Sequence, residues 1–231
     1  MRKASTEKKE FMYNITLICT KHEECGKCNS MELHKIIEEI SPEIIFEELS
    51  HSHFDESYKE KKLITLETNA IKKYLQNHNI EHLPVDTYNL PNSYHKELEY
   101  MYNRVINNNK IDSYHLRNLL NKQSLLEMNH GFSFLNSNQN AELFEEITIL
   151  WEIILNTLSD ENLFRIYKLE KEVIEKREHE IIKNIHIYSR GYKYNQALLF
   201  IGSGHRKSII KEIEKYELDE IIKLNWILYN S

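Results

Sequence analysis

The feature that most constrains the fold is a strand–helix–strand run near the start of the chain. Tyr13-Asn-Ile-Thr-Leu-Ile-Cys19 is short, apolar and rich in β-branched residues, the pattern of a strand buried on both faces. A polar loop, Thr20 to Ser30, leads into Met31–Ile40, where Leu33, Ile36, Ile37 and Ile40 recur on one helical face and Ser30 is the expected N-cap. Ser41-Pro42 ends that helix, and Glu43-Ile-Ile-Phe46 starts a second strand. Such a unit implies a parallel sheet with a right-handed crossover.

The pattern continues. Leu63 to Asn79 has helical spacing, Ile80-Glu-His-Leu-Pro-Val85 reads as a third strand ending at Asp86, and Tyr94 to about Lys183 is almost wholly helical in character. One break, Asn129–Asn140, is rich in Asn, Ser and Gly and reads as a loop, a connector or a lid. Gln196-Ala-Leu-Leu-Phe-Ile201 is a further buried strand, and it runs through Gly202-Ser-Gly-His205 into an amphipathic helix over Lys207–Glu217. Ile221–Tyr229 reads as a last edge strand or helix, and residues 1–10 as a solvated tail. The expectation is one α/β domain over residues 1–231: a mainly parallel sheet flanked by helices, with a helical insertion over 92–183.

Composition narrows the function classes. A formal net charge of −6 provides no basic face for phosphates, so nucleic acid is not an expected partner. The apolar run Ile147–Leu155 is interrupted by Glu152 and is too short to span a bilayer, and the charged N-terminus lacks a secretory core. Three cysteines, Cys19, Cys25 and Cys28, form no disulfide framework and point to a reducing cytoplasmic setting. With His22 they make a C-x2-H-x2-C-x2-C run. That run reads as a zinc or redox site, or as a buried small hydrophobe beside a loop. A homodimer is the default oligomer.

In open α/β sheets, ligands bind beyond the carboxyl ends of the strands. That rule brings His22, Glu47, Glu48, Asp86 and His205 to one edge. His22 and His205 each follow an apolar strand and a short turn, and neutral imidazole serves as metal ligand or general base. Glu47 and Glu48 follow the second strand and point oppositely, so only one carboxylate can face the site; the plain alternative is a solvated pair beginning a loop. Arg177, in Glu175-Lys-Arg-Glu-His179, and Arg206 are candidates for an anionic or carbonyl-bearing substrate, or else ordinary helix-surface ion-pair partners. Asp86, Gly202, Gly204 and Arg206 make up the expected substrate-binding set, with a capping role as the plain alternative for Asp86.

Taken together, Ile15-Thr-Leu-Ile-Cys-Thr-Lys-His22, Pro42-Glu-Ile-Ile-Phe-Glu-Glu-Leu-Ser50 and Leu199-Phe-Ile-Gly-Ser-Gly-His205 resemble the TraB/Tiki superfamily, with its erythromycin-esterase-like and haem-binding ChaN-like members. The second G-x-x-H segment is intact, whereas the first has Cys19 in place of glycine. The resemblance implies a metal-dependent hydrolase of peptide or ester bonds. It would use Mn, Co, Fe or Zn held by His22, His205 and Glu48, with Glu48 (Glu47 as fallback) and Arg177 catalytic. A metal-free variant, with His22 as general base oriented by Glu48, belongs to the esterase side of the resemblance. The alternatives are a non-catalytic binding protein for haem or another small molecule, and a scaffold for partner proteins.

Overall fold

The computed structural model describes residues 13–86, 90, 92–217 and 222–230. The solvated-tail expectation for residues 1–10 and the residues immediately after Asp86 lie outside that range.

Strand β1, Asn14–Thr20, is buried at all seven positions. It is joined by β2 (Ile44–Glu47), β3 (Glu81–Pro84), β4 (Gln196–Gly202) and β5 (Asn225–Leu228) in one sheet of order β3-β2-β4-β1-β5. All four pairings are parallel. The protein is therefore an α/β fold, and the final segment is an edge strand beside β1.

Alternation along the strands divides the core into two layers. Ile15, Leu17, Cys19, Phe46, Leu199 and Ile201 face helices α8 (Glu161–Gly191) and α9 (Arg206–Glu217), meeting Ile181, Ile182, Ile185 and Ile209. Ile18, Ile45, Leu198 and Phe200 face α1 (Ser30–Ile40) and α3 (Leu66–Tyr74), meeting Leu33, Ile37, Ile71 and Tyr74. Helix α1 is capped by the Asn29 side chain, which accepts from Glu32 N–H at 3.0 Å, rather than by Ser30. Its end is marked by Ser41 in the left-handed region (φ 52°). The short helix α2, His51–Tyr58, follows β2 directly and has no counterpart in the sequence reading.

A third core lies within the helical segment. Helices α4 (Asn92–Ile106), α5 (Ile111–His130), α7 (Asn138–Leu158) and the first half of α8 bury Met101, Leu116, Leu143, Trp151, Leu155 and Ile166 against one another. Helix α8 has 31 residues, about 46 Å at the α-helical rise, and so reaches from this bundle to the sheet.

The expected loop at Asn129–Asn140 is mostly helical: α5 runs to His130, Phe132–Leu135 forms α6, and α7 starts at Asn138. Gly131, at φ +62°, turns the chain between α5 and α6, and Ser137 caps α7 through Asn140 N–H. Polar residues here act as caps, while Phe132, Phe134 and Leu135 are buried. Asn136, 1% exposed, accepts from Cys19 N–H at 2.7 Å and donates to Cys19 C=O at 3.0 Å. The segment is thus tied into the end of β1 rather than lying over it as a lid.

Candidate functional site

Strand β4 lies between β1 and β2, with Thr20 paired to Gly202 and Glu47 to Phe200. The chain leaves β1 toward α1 on one face and leaves β4 toward α9 on the other. The β1/β4 boundary is therefore a topological switch point, where open α/β sheets form their ligand crevice. A small crevice of about 20 Å³ is found at this edge, lined by Thr20, His22, Glu47, Glu48, Thr65 and Glu67 among others.

Glu48 is at its centre. One carboxylate oxygen, Oε2, accepts from Gly202 N–H at 2.7 Å. The other, Oε1, accepts from the Arg177 guanidinium at 2.8 Å and lies 3.4 Å from His205 Nε2. Arg177 also donates through Nε to Asp86 Oδ2 at 2.8 Å. This is no helix-surface pair: the guanidinium joins carboxylates 129 and 91 residues away in the chain, on loops after β2 and β3. Both carboxylates raise the arginine's pKa, against the opposing pull of burial, so its charge is fixed.

His205 is held on both sides. Its Nδ1 lies 2.7 Å from Glu178 Oε1, and the same oxygen accepts from Ser208 Oγ at 2.6 Å. Burial, the largest single influence, pulls the imidazole pKa down, but the bond to Glu178 and the charges of Glu48 and Glu178 outweigh it and raise it. The ring is thus held between two carboxylates that favour its protonated form.

His22 contrasts with it. Its side chain is 63% exposed, and its Nδ1 lies 3.3 Å from Glu67 Oε1, which also accepts from Thr20 Oγ1 at 2.8 Å. The Glu67 bond raises its pKa most, and the Glu48 charge adds to this. His22 and His205 therefore feel the same Glu48 from opposite faces of the sheet, each with its own second carboxylate.

Sequence reasoning did not pick out Glu67 or Glu178. Glu178 adjoins Arg177 but stands among many glutamates, and Glu67 sits on a helix with no motif around it. The only signal for Glu67 was Thr20, whose side chain points to the α3 face.

The remaining candidates are placed apart or differently. Glu47 lines the crevice from the α3 face, opposite to Glu48, and its carboxylate, 2% exposed, accepts from Tyr58 OH at 2.7 Å and meets His82 Nδ1 at 2.7 Å. Gly202 (φ −55°) has an ordinary backbone, and a Cβ there would make only normal contacts. Its contribution is the N–H given to Glu48. Gly204 lies against the Phe144 ring, and Arg206 is buried, its charge acting on Cys19. Cys19 is buried in the sheet, its thiol pushed up to about 12 chiefly by burial. Cys25 and Cys28 pair through their backbones, at 2.7 and 2.9 Å, in the loop beyond.

Among the described residues no group of three or more His, Cys, Asp or Glu is placed to hold a metal ion. In the expected set of His22, His205 and Glu48, both glutamate oxygens already carry N–H donors and the Arg177 cation shares one of them. The geometry therefore lends the metal expectation no support. Among the described residues no helix is long and apolar enough to cross a membrane. No family model, no curated protein and no solved structure matches the chain, so the TraB/Tiki resemblance rests on the quoted motifs.

Proposed function

We propose that the crevice hydrolyses an ester or amide bond, with His22 as general base. The observation that carries this reading is the contrast between the two histidines. His205 has both ring nitrogens engaged by carboxylates, whereas His22 is exposed and has one nitrogen held by Glu67. A base must exchange protons with substrate and solvent, and a carboxylate on one ring nitrogen orients the other toward its target.

In this reading His22 takes a proton from the attacking water. Glu67 holds the imidazole, the role the sequence reading gave to Glu48. Glu48 instead fixes Arg177 and His205, which stand behind it and outside the crevice lining. The enclosed space, about 20 Å³, has room for about one water molecule, so it fits the attacking water beside His22 rather than a whole substrate.

The test is turnover of small chromogenic esters and anilides by the purified chain, with metal content measured and a chelator added. The expected result is hydrolysis that survives chelation and falls roughly 10²–10⁴-fold in His22→Ala. Hydrolysis abolished by chelation and restored by Mn, Co, Fe or Zn would replace the metal-free mechanism with the metal-dependent one. No hydrolysis, or equal hydrolysis in His22→Ala, would overturn the reading.

A further inference from the structure

Of the carboxylates that line the crevice, Glu47 has both oxygens engaged by Tyr58 and His82, and Glu48 has both engaged by Arg177 and Gly202. Glu67 differs. Thr20 and His22 both meet its Oε1, and among the described residues its Oε2 is buried with no hydrogen-bond partner, on a residue only 8% exposed. The nearby threonines do not supply the missing donor: Thr65 and Thr68 are engaged with each other and with the backbone. A second such oxygen, Asp86 Oδ1, lies on the far side of Arg177, which reaches only Oδ2. A buried carboxylate oxygen without a donor costs free energy, and among the described residues none supplies that donor.

The lining also has a sign. Among the described residues, three carboxylates, Glu47, Glu48 and Glu67, line the crevice, and His22 is the one lining side chain able to carry positive charge. A donor that brings a cation is therefore favoured over a neutral or anionic one.

We infer that the crevice receives a small primary ammonium group, whose N–H donors meet Glu67 Oε2. The inference rests on the hydrolase reading of the same site and deepens it by naming the bond as an amide. The water oxygen bonds to the acyl carbon while its proton passes to His22. The C–N bond then breaks, and His22 gives that proton to the departing nitrogen. The acid and amine so formed exchange one more proton, leaving a carboxylate and an ammonium beside Glu67.

The probe is methylammonium, titrated into the full chain while the His22 ring signals are followed by NMR. Methanol (a donor without charge) and tetramethylammonium (a charge without donors) serve as comparisons. The expected result is a saturable response to methylammonium, at least tenfold weaker for both comparison compounds and for methylammonium in Glu67→Gln. An equal response to all three compounds, or an unchanged one in Glu67→Gln, would overturn the inference. The selectivity series on the wild type decides the matter even where the variant fails to fold. Selective methylammonium binding without turnover of amides or esters would leave this inference standing and remove the hydrolase reading. His22-dependent turnover without selective binding would do the reverse.

Discussion

His205 and Glu178 are joined at 2.7 Å through Nδ1, and Ser208 Oγ shares the same carboxylate oxygen at 2.6 Å. The three residues come from α8, the turn after β4 and the first turns of α9. A single carboxylate therefore clamps the Gly202-Ser-Gly-His205 turn to the longest helix of the protein.

This clamp has a pH signature. The folded-state pKa of His205 is raised, so its contribution to stability is fully present below the unfolded-state value of about 6.5 and is lost as pH rises through the folded value. Wild type should exceed Glu178→Gln in unfolding free energy most clearly near pH 5.5–6.5, with the gap narrowing at higher pH. Denaturant titrations at a series of pH values check this. A gap that widens with pH would contradict it.

Arg177 holds two buried carboxylates at once. Arg177→Met leaves Glu48 and Asp86 without their cation and should lower stability by roughly 3–5 kcal/mol. Adding Asp86→Asn removes one of the stranded charges and should recover part of that loss. The double-mutant cycle, measured by chemical denaturation, reads the coupling directly.

Asn136 satisfies both the N–H and the C=O of Cys19 where β1 ends. Asn136→Ala should cost about 2–4 kcal/mol, since two buried backbone groups lose their partner. Amide hydrogen exchange at Cys19 should accelerate in the variant more than exchange at the centre of β4.

For the proposed activity, the base must be neutral. The bond to Glu67 raises the His22 pKa above its ordinary 6.5, so hydrolysis should rise with pH through that raised value. In Glu67→Gln the rising limb should move to lower pH and the plateau rate should fall. A limb that stays in place would show that Glu67 does not set the state of His22.

The apolar runs behind β1, β2 and β4 and the long helical middle were legible because burial on both faces leaves a local pattern. The rule of strand ends grouped His22, Glu47, Glu48, Asp86 and His205 from sequence, and Arg177 was picked out by its guanidinium and by the motif resemblance. Three things left no local trace. The insertion of β4 between β1 and β2 is decided by packing across the sheet. The partners Glu67 and Glu178 are ordinary helical glutamates until the layers close on them. The Asn129–Asn140 stretch has the composition of a loop because its polar residues cap helices and bind β1, whereas its three apolar residues are the ones in the core.

The central place of β4 also governs how the molecule is made. The bond from Gly202 to Glu48 spans 154 residues, and no nearer strand can substitute, because β1 and β2 do not touch each other. Loop closure over such a distance comes late and slows folding relative to the helical middle, whose contacts are local. On the ribosome the first 190 or so residues can build their helices, yet the crevice they line stays open where Phe200 and Ile201 of β4 will close it. Its walls meet only when β4 takes its place between β1 and β2.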